Sequence, residues 1–200
     1  MKLVLASSNR GKLAELREAL APLALELFPL SDWTDVSPDE DGDSFSANAL
    51  IKARHAARIT GLPSLADDSG LEVQALDGAP GIRSARYAGD AATDAANNQK
   101  LLAALAGLPA SARRARFRCV IALVRNADDP APLLAEGSWE GEILTAPRGS
   151  QGFGYDPLFL DPGLQRSAAD LAPADKLARS HRGQAIQRLL KTLEAKPLHA

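Results

Sequence analysis

The stretch ARFRCVIALVR, Ala115 to Arg125, alternates apolar and charged residues and then turns wholly apolar. Alternation with a period of two marks a strand with one wetted face, while a continuous run of Val, Ile and Leu marks a strand covered on both faces. Such a strand sits centrally in a sheet and needs helices to cover it. The rest of the chain supplies them. KLVLA reads as a short buried strand, followed by the loop SSNRGK and an amphipathic helix carrying Leu13, Leu16 and Leu20. DSFSANALIKARHAARITG reads as a helix opened by Asp43 or Ser44 and closed by Gly61, with Pro63 beyond. SLADD is a second strand, and TDAANNQKLLAALAGLP a helix with Thr93 as N-cap and Gly107 as C-cap. LLAEGSWEGEIL suggests two strands broken at Gly137 to Gly141, and SHRGQAIQRLLKTLEA a last helix capped by Ser180. Strands and helices mixed in this way predict an α/β protein built on a mixed sheet.

The 200 residues suit a single domain spanning 1–200, without repeats or low-complexity linkers. Apolar residues make up 46% and charged ones 24%, which excludes wholesale disorder. A formal net charge of −2 and an aromatic content of 4% give no global field or stacking surface for nucleic acid, and no attraction to an anionic membrane. An anionic ligand must therefore be held by a local cluster of cations. The lone Cys119 forms no intrachain disulfide and no Cys-based zinc site, so it reads as a core residue in a reducing cytoplasm. The apolar run at the N-terminus is too short for a signal-peptide core, and no run approaches membrane-spanning length.

The chemistry lies in a few short stretches. In PSLADDSGLEV, two adjacent carboxylates, Asp67 and Asp68, follow the apolar Leu65 and Ala66. A turn is one reading, since Asp, Ser and Gly are turn residues; a metal site at a strand's end is the other. Upstream, PDEDGD makes an acidic loop of Asp39, Glu40, Asp41 and Asp43, from which one carboxylate would join Asp68 around a hard divalent cation. No His and Cys cluster competes for a softer metal. SSNRGK lies between a strand and a helix, so its backbone N–H groups and Lys12 face a potential anion. Asn48 and Lys52, four apart, share one helical face. RGSQGFGYDPLF reads either as an ordinary glycine-rich loop or as a pocket in which glycines let a flat ligand approach, Phe153 offers a ring for stacking and Asp156 an acceptor for ring N–H groups. Lys176, His181 and Arg182 lie close together near the last helix; they read either as a structural His–Arg pair at a helix start or as donors to carbonyl or phosphate oxygens. The arginines of ASARRARFR read as a solvated loop and strand edge.

Taken in order, SSNRGK, EDGDSFSANALIKA, ADDSGLEV, GAPGIRSARYAG, GFGYDPLF and KLARSHRGQA resemble the successive signatures of the inosine/xanthosine triphosphate pyrophosphatases, from about residue 3 to residue 190. The resemblance implies an elongated mixed sheet flanked by helices, in two lobes with a cleft between them, and a homodimer. It implies hydrolysis of noncanonical purine nucleoside triphosphates (ITP, dITP, XTP) to the monophosphate and pyrophosphate, with Mg²⁺ as cofactor. Ser7, Ser8, Asn9, Arg10, Gly11 and Lys12 would then hold the triphosphate with help from Lys52. Asp68 would bind the metal and take the proton of the attacking water, with Glu40 as metal partner and Ser69 on the substrate. Phe153, Gly154, Tyr155 and Asp156 would line the base pocket, and Lys176, His181 and Arg182 would contact the base. Leu177 departs from the family pattern, which more often has a polar residue there. Two other readings are set against this one. Pyrophosphatases of the Maf-like kind act on pyrimidine triphosphates, which a substrate panel separates. A nucleotide-binding regulator without catalysis would have little need of Glu40 and Asp68.

Overall fold

The computed structural model describes residues 2–7, 9–21 and 25–195. Among the described residues, seven strands form one sheet: β1 (Lys2–Leu5), β2 (Glu26–Pro29), β3 (Ser64–Val73), β4 (Arg114–Val124), β5 (Leu133–Ile143), β6 (Phe159–Asp161) and β7 (Arg166–Ser167). Their order is β2-β1-β3-β4-β5-β6-β7, so the strand carrying VIALV is the middle one of the seven. The helices are α1 (Arg10–Leu20), α2 (Phe45–Thr60), α3 (Asp94–Ala104), α4 (Pro173–Arg179) and α5 (His181–Ala195). The sheet is mixed: β1 runs parallel to both β2 and β3, whereas β6 is antiparallel to β5 and β7.

The chain divides into two compact units. The first is built from the chain up to Asp68, Cys119–Gly137 and the segment from Arg182 onward. Its core takes Leu3, Val4 and Leu5 from β1, Leu65 from β3, and Ile121 and Leu123 from β4, all within 1% of complete burial. Leu16 and Leu20 fill the inner side of α1. On α2 the buried stripe is Ala49, Ala53, Ala56 and Ala57, at helical spacing. Small side chains bring the helix backbone close to β1, which places Asn48 and Lys52 of the neighbouring stripe within reach of β3. Ser44 caps α2 by accepting from the Ala47 N–H, and Gly61 ends it in the left-handed conformation, as the sequence predicts.

The second unit comprises Ser69–Arg118 and Ser138–His181. Its core joins Leu71 and Val73 to Leu101 and Leu105, Phe117, Trp139, Tyr155, Leu158 and Phe159. Phe159 packs between Phe117 and Trp139, with ring centroids 4.5 and 5.0 Å away.

Several expectations are corrected. SLADD does not stop at its carboxylates: β3 continues through Asp67, Asp68, Ser69 and Gly70 to Val73, so this stretch is strand, not turn. LLAEGSWEGEIL is one strand, β5, not two. Its Gly141 stands where a Cβ would come within 2.4 Å of the Phe159 ring and 2.5 Å of the Leu160 carbonyl, so the glycine serves close strand contact, not a break. The helix α3 ends at Ala104, short of Gly107. Arg113 is not solvated: its guanidinium is buried and donates to the carbonyls of Ile143 (2.7 Å), Leu105 (2.8 Å) and Leu144 (2.8 Å).

Candidate active site

Because β3 continues through the doublet, its alternation turns Asp67 and Asp68 to opposite faces. Each carboxylate therefore has its own cations. Asp67, 2% exposed, receives Lys12 Nζ at 3.2 Å, and Arg182 Nε and Nη2 at 3.3 Å each. Asp68, 6% exposed, receives Lys52 Nζ on Oδ1 at 2.8 Å and faces the Asn48 amide on Oδ2 at 3.5 Å. Alternation and a close counter-charge on each carboxylate make the adjacent pair tolerable.

The two carboxyls are pushed in opposite directions. Burial alone would raise Asp67, but Lys12, Arg182 and Lys52 outweigh it and hold the group well below the usual carboxylate range. Burial raises Asp68 above its ordinary 3.8; Lys52 opposes the rise and Glu40 adds to it. Lys52 itself is desolvated, which lowers its proton affinity, yet Asp68, Asp67 and Glu40 outweigh this and keep it protonated. A buried carboxylate of raised proton affinity beside an anchored ammonium is the usual environment of a catalytic base.

Lys52 links Asp68 to the acidic loop. Its Nζ also lies 3.3 Å from Glu40 Oε1, so two carboxylates from distant segments converge on one positive charge. Asp39, Asp41 and Asp43 stay exposed, and Glu40 is half-buried. Asn48 fixes the loop from its other end: its Oδ1 accepts the Gly42 N–H at 2.9 Å while its Nδ2 turns toward Asp68. A Cβ on Gly42 would come within 2.6 Å of that Oδ1. Among the described residues, no three His, Cys, Asp or Glu side chains gather as a metal cage. The donor set at Lys52 is thus two carboxylate groups and no soft ligand. That set suits a hard cation completed by phosphate oxygens and water, and the ammonium already there shows that positive charge is favoured at this point.

The loop before α1 is shaped to present backbone donors. Ser7 Oγ accepts the Asn9 N–H at 3.3 Å, and Asn9 caps the helix by accepting the Lys12 N–H at 3.1 Å. Gly11 lies in the first turn and is half-buried. Ser8 and the side chain of Arg10 lie outside the described residues. Arg182 is 1% exposed and bonds Asp67 and Glu15, so its guanidinium is engaged by carboxylates on β3 and α1. Ser69, next to Asp68 on β3, is half-buried.

Of the residues expected at the base, Phe153, Asp156 and Lys176 gather in the second unit, whereas Arg182 belongs to the first. Asp156 Oδ2 accepts both Lys176 Nζ (2.7 Å) and the Phe153 N–H (2.9 Å). The same ammonium stands 4.7 Å from the centre of the Phe153 ring, which is half-buried. His181 stacks on Phe117 with centroids 4.8 Å apart and planes 15° from parallel. Tyr155 is a core residue: its hydroxyl donates to the Ser84 carbonyl at 2.9 Å. Sequence reasoning missed the contacts of Gly154, whose N–H donates to Asp94 Oδ2 (2.7 Å) and whose carbonyl accepts from Asn98 Nδ2 (2.8 Å). It also missed Glu15 as a partner of Arg182. The pair Asp94 and Asn98, four apart at the start of α3, was the available signal, and it reads equally well as a solvated helix face.

A sequence model of the Ham1 family matches residues 3–192. The dITP/XTP pyrophosphatase of Thioalkalivibrio sulfidiphilus is 54% identical over 98% of this chain and 100% of its own length. The structure of a HAM1 protein from Coxiella burnetii superposes with a TM-score of 0.91 at 53% identity, covering 98% of this chain and 99% of that one. The Staphylococcus aureus Ham1 protein gives a TM-score of 0.87 at 38% identity, over 98% of this chain and 100% of that one.

Proposed function

The chain belongs to the Ham1 family, and on that premise we propose that it hydrolyses dITP, XTP and ITP to the nucleoside monophosphate and pyrophosphate, clearing noncanonical purines from the nucleotide pool. The observation that carries this reading is the convergence of Asp68 and Glu40 on the Lys52 ammonium. Asp68 and Glu40 would hold Mg²⁺, which when bound supplies charge neutralisation between the carboxylates and the anionic triphosphate.

The protein's own groups do the rest. The Asn9-capped start of α1 offers backbone N–H groups to phosphate oxygens, with Lys12 beside it. Ser7, Ser8, Arg10 and Gly11 belong to the same phosphate-holding segment, and Ser69 follows the base on β3. Water adds to phosphorus, the bridge between the α and β phosphates breaks, and the water's proton passes to the Asp68 carboxylate. The Lys52 ammonium on Oδ1 and the Asn48 amide facing Oδ2 orient the Asp68 carboxylate for that transfer. Lys52 stays protonated and stabilises charge on the phosphates as they separate.

For the base, Phe153 stacks on the purine, Lys176 and Asp156 fix the Phe153 ring, and His181 donates to the 6-carbonyl of hypoxanthine or xanthine. Adenine presents a donor at that position, and a donor facing a donor disfavours adenine by about 10⁴ or more. Arg182 acts by anchoring the start of α5 through Asp67 and Glu15. The family match runs through both units, which supports treating residues 1–200 as one catalytic domain. A homodimer in the cytoplasm completes the reading; no helix among the described residues is long and apolar enough to cross a membrane. Chromatography of the products of dITP tests the reaction. The expected products are dIMP and pyrophosphate in equal amounts; dIDP with orthophosphate would overturn it.

A further inference from the structure

The clamp on Gly154 carries an inference beyond the reaction. Thr93 already caps α3 by accepting the Ala96 N–H, so the Asp94 carboxylate has no capping task. It reaches instead across 60 positions of sequence to the Gly154 N–H at 2.7 Å. One turn further along α3, Asn98 donates to the Gly154 carbonyl at 2.8 Å and to the Asp94 carbonyl at 2.8 Å. Both polar backbone groups of a single residue are thus held by two side chains of one helix. Gly154 is in the left-handed conformation, φ 62°, which leaves it without the restraint of regular structure. The preceding peptide is held as well, because the Phe153 N–H donates to Asp156.

We propose that Asp94 and Asn98 are positioning residues for purine recognition: by gripping Gly154 they fix the peptide that follows Phe153 and so set the ring against which the base lies. The proposal rests on the reading that residues 153–156 meet the base. A carboxylate accepting a backbone N–H is a charge-assisted bond, stronger than a neutral one, and suits a restraint on an otherwise free glycine. Neither side chain takes part in proton transfer or phosphate binding. Their loss therefore affects how tightly and selectively the purine is held, and leaves the chemical step in place.

The test is steady-state kinetics of Asp94→Ala, Asn98→Ala, Asp94→Asn and Asn98→Asp on dITP, XTP and dGTP, with thermal melting of each variant. Asp94→Asn keeps an acceptor for the Gly154 N–H, whereas Asn98→Asp keeps shape and loses the donors. The expected result is KM for dITP raised about tenfold in Asp94→Ala, Asn98→Ala and Asn98→Asp, with kcat within about twofold of wild type, since one lost hydrogen bond of this kind amounts to about a factor of ten. The preference for dITP over dGTP narrows in those three variants, and Asp94→Asn recovers most of it. Unchanged KM and preference would overturn the proposal, as would a fall in kcat alone, or an equal loss on every substrate with a lowered melting temperature. The two layers separate cleanly. A wild-type enzyme with no purine preference contradicts the proposed function, while a wild-type preference kept intact by the variants contradicts the clamp.

Discussion

Lys52 Nζ lies 2.8 Å from Asp68 Oδ1, and this contact holds the carboxylate that the account makes the catalytic base. The ammonium fixes one oxygen, the Asn48 amide faces the other, and burial raises the group's proton affinity. Asp68→Asn keeps the shape and removes the ionisable group. The variant is expected to fold, with an unchanged far-UV spectrum, and to lose about 10²–10⁴-fold in kcat, the usual share of a general base. Wild-type turnover would contradict the assignment.

Gly42 tests how far the acidic loop depends on Asn48. Its backbone φ is not in the left-handed region, so alanine is conformationally allowed there, but its Cβ would meet Asn48 Oδ1 at 2.6 Å and Ala47 Cβ at 2.8 Å. Gly42→Ala is expected to displace the loop carrying Glu40 and lower activity by about tenfold or more, at a stability cost of about 1 kcal/mol typical of such substitutions. Equal activity at equal stability would show that the loop has no part in the site.

Asp67 gives a pH dependence of defined sign. Its folded-state pKa lies below its ordinary 3.8, held there by Lys12 and Arg182 against burial. Between those two values the unfolded chain binds more protons than the folded one, so stability falls as the pH falls. The stabilisation from Asp67 is complete above 3.8 and is lost as the pH drops toward the folded pKa. Urea unfolding from pH 7 to 3 is expected to show wild type more stable than Asp67→Asn by a constant margin down to about pH 5, and by a shrinking one below. A margin that grows in acid would contradict the ion-pair account.

Cys119 is the only thiol in the chain, fully buried beside Asp67, with Sγ 3.9 Å from Oδ2. Burial and the neighbouring carboxylate push its pKa up to about 12. Native protein is expected to leave it unmodified by a thiol reagent at pH 8, and denatured protein to release one equivalent. Rapid labelling of the native state would place the β3–β4 packing in doubt.

Much of the fold could be read in the sequence because the local signals are strong. VIALV announced a central strand, Ser44 and Thr93 announced helix starts, and Gly61 a helix end. The chemistry-bearing residue types were also visible. What they contact was not, since contacts depend on strand register and helix packing. The Asp67–Asp68 doublet looked like a turn because one residue of alternation, which separates the two onto opposite faces, has no local signature. Arg113 looked like a solvated cation for the same reason, and Arg182 like a donor to the base. Each is buried by carbonyls or carboxylates that arrive from distant parts of the chain. Gly137 and Gly141 looked like strand breakers, although at Gly141 the glycine answers to the Phe159 ring.

The most direct measurement is pyrophosphate release from dITP, ITP, XTP, GTP, ATP, dTTP and UTP, each with Mg²⁺ and with chelator. Strong release from dITP, ITP and XTP is expected, little from the rest, and none once the metal is removed. Release chiefly from dTTP or UTP, or release that survives the chelator, would contradict the proposed function.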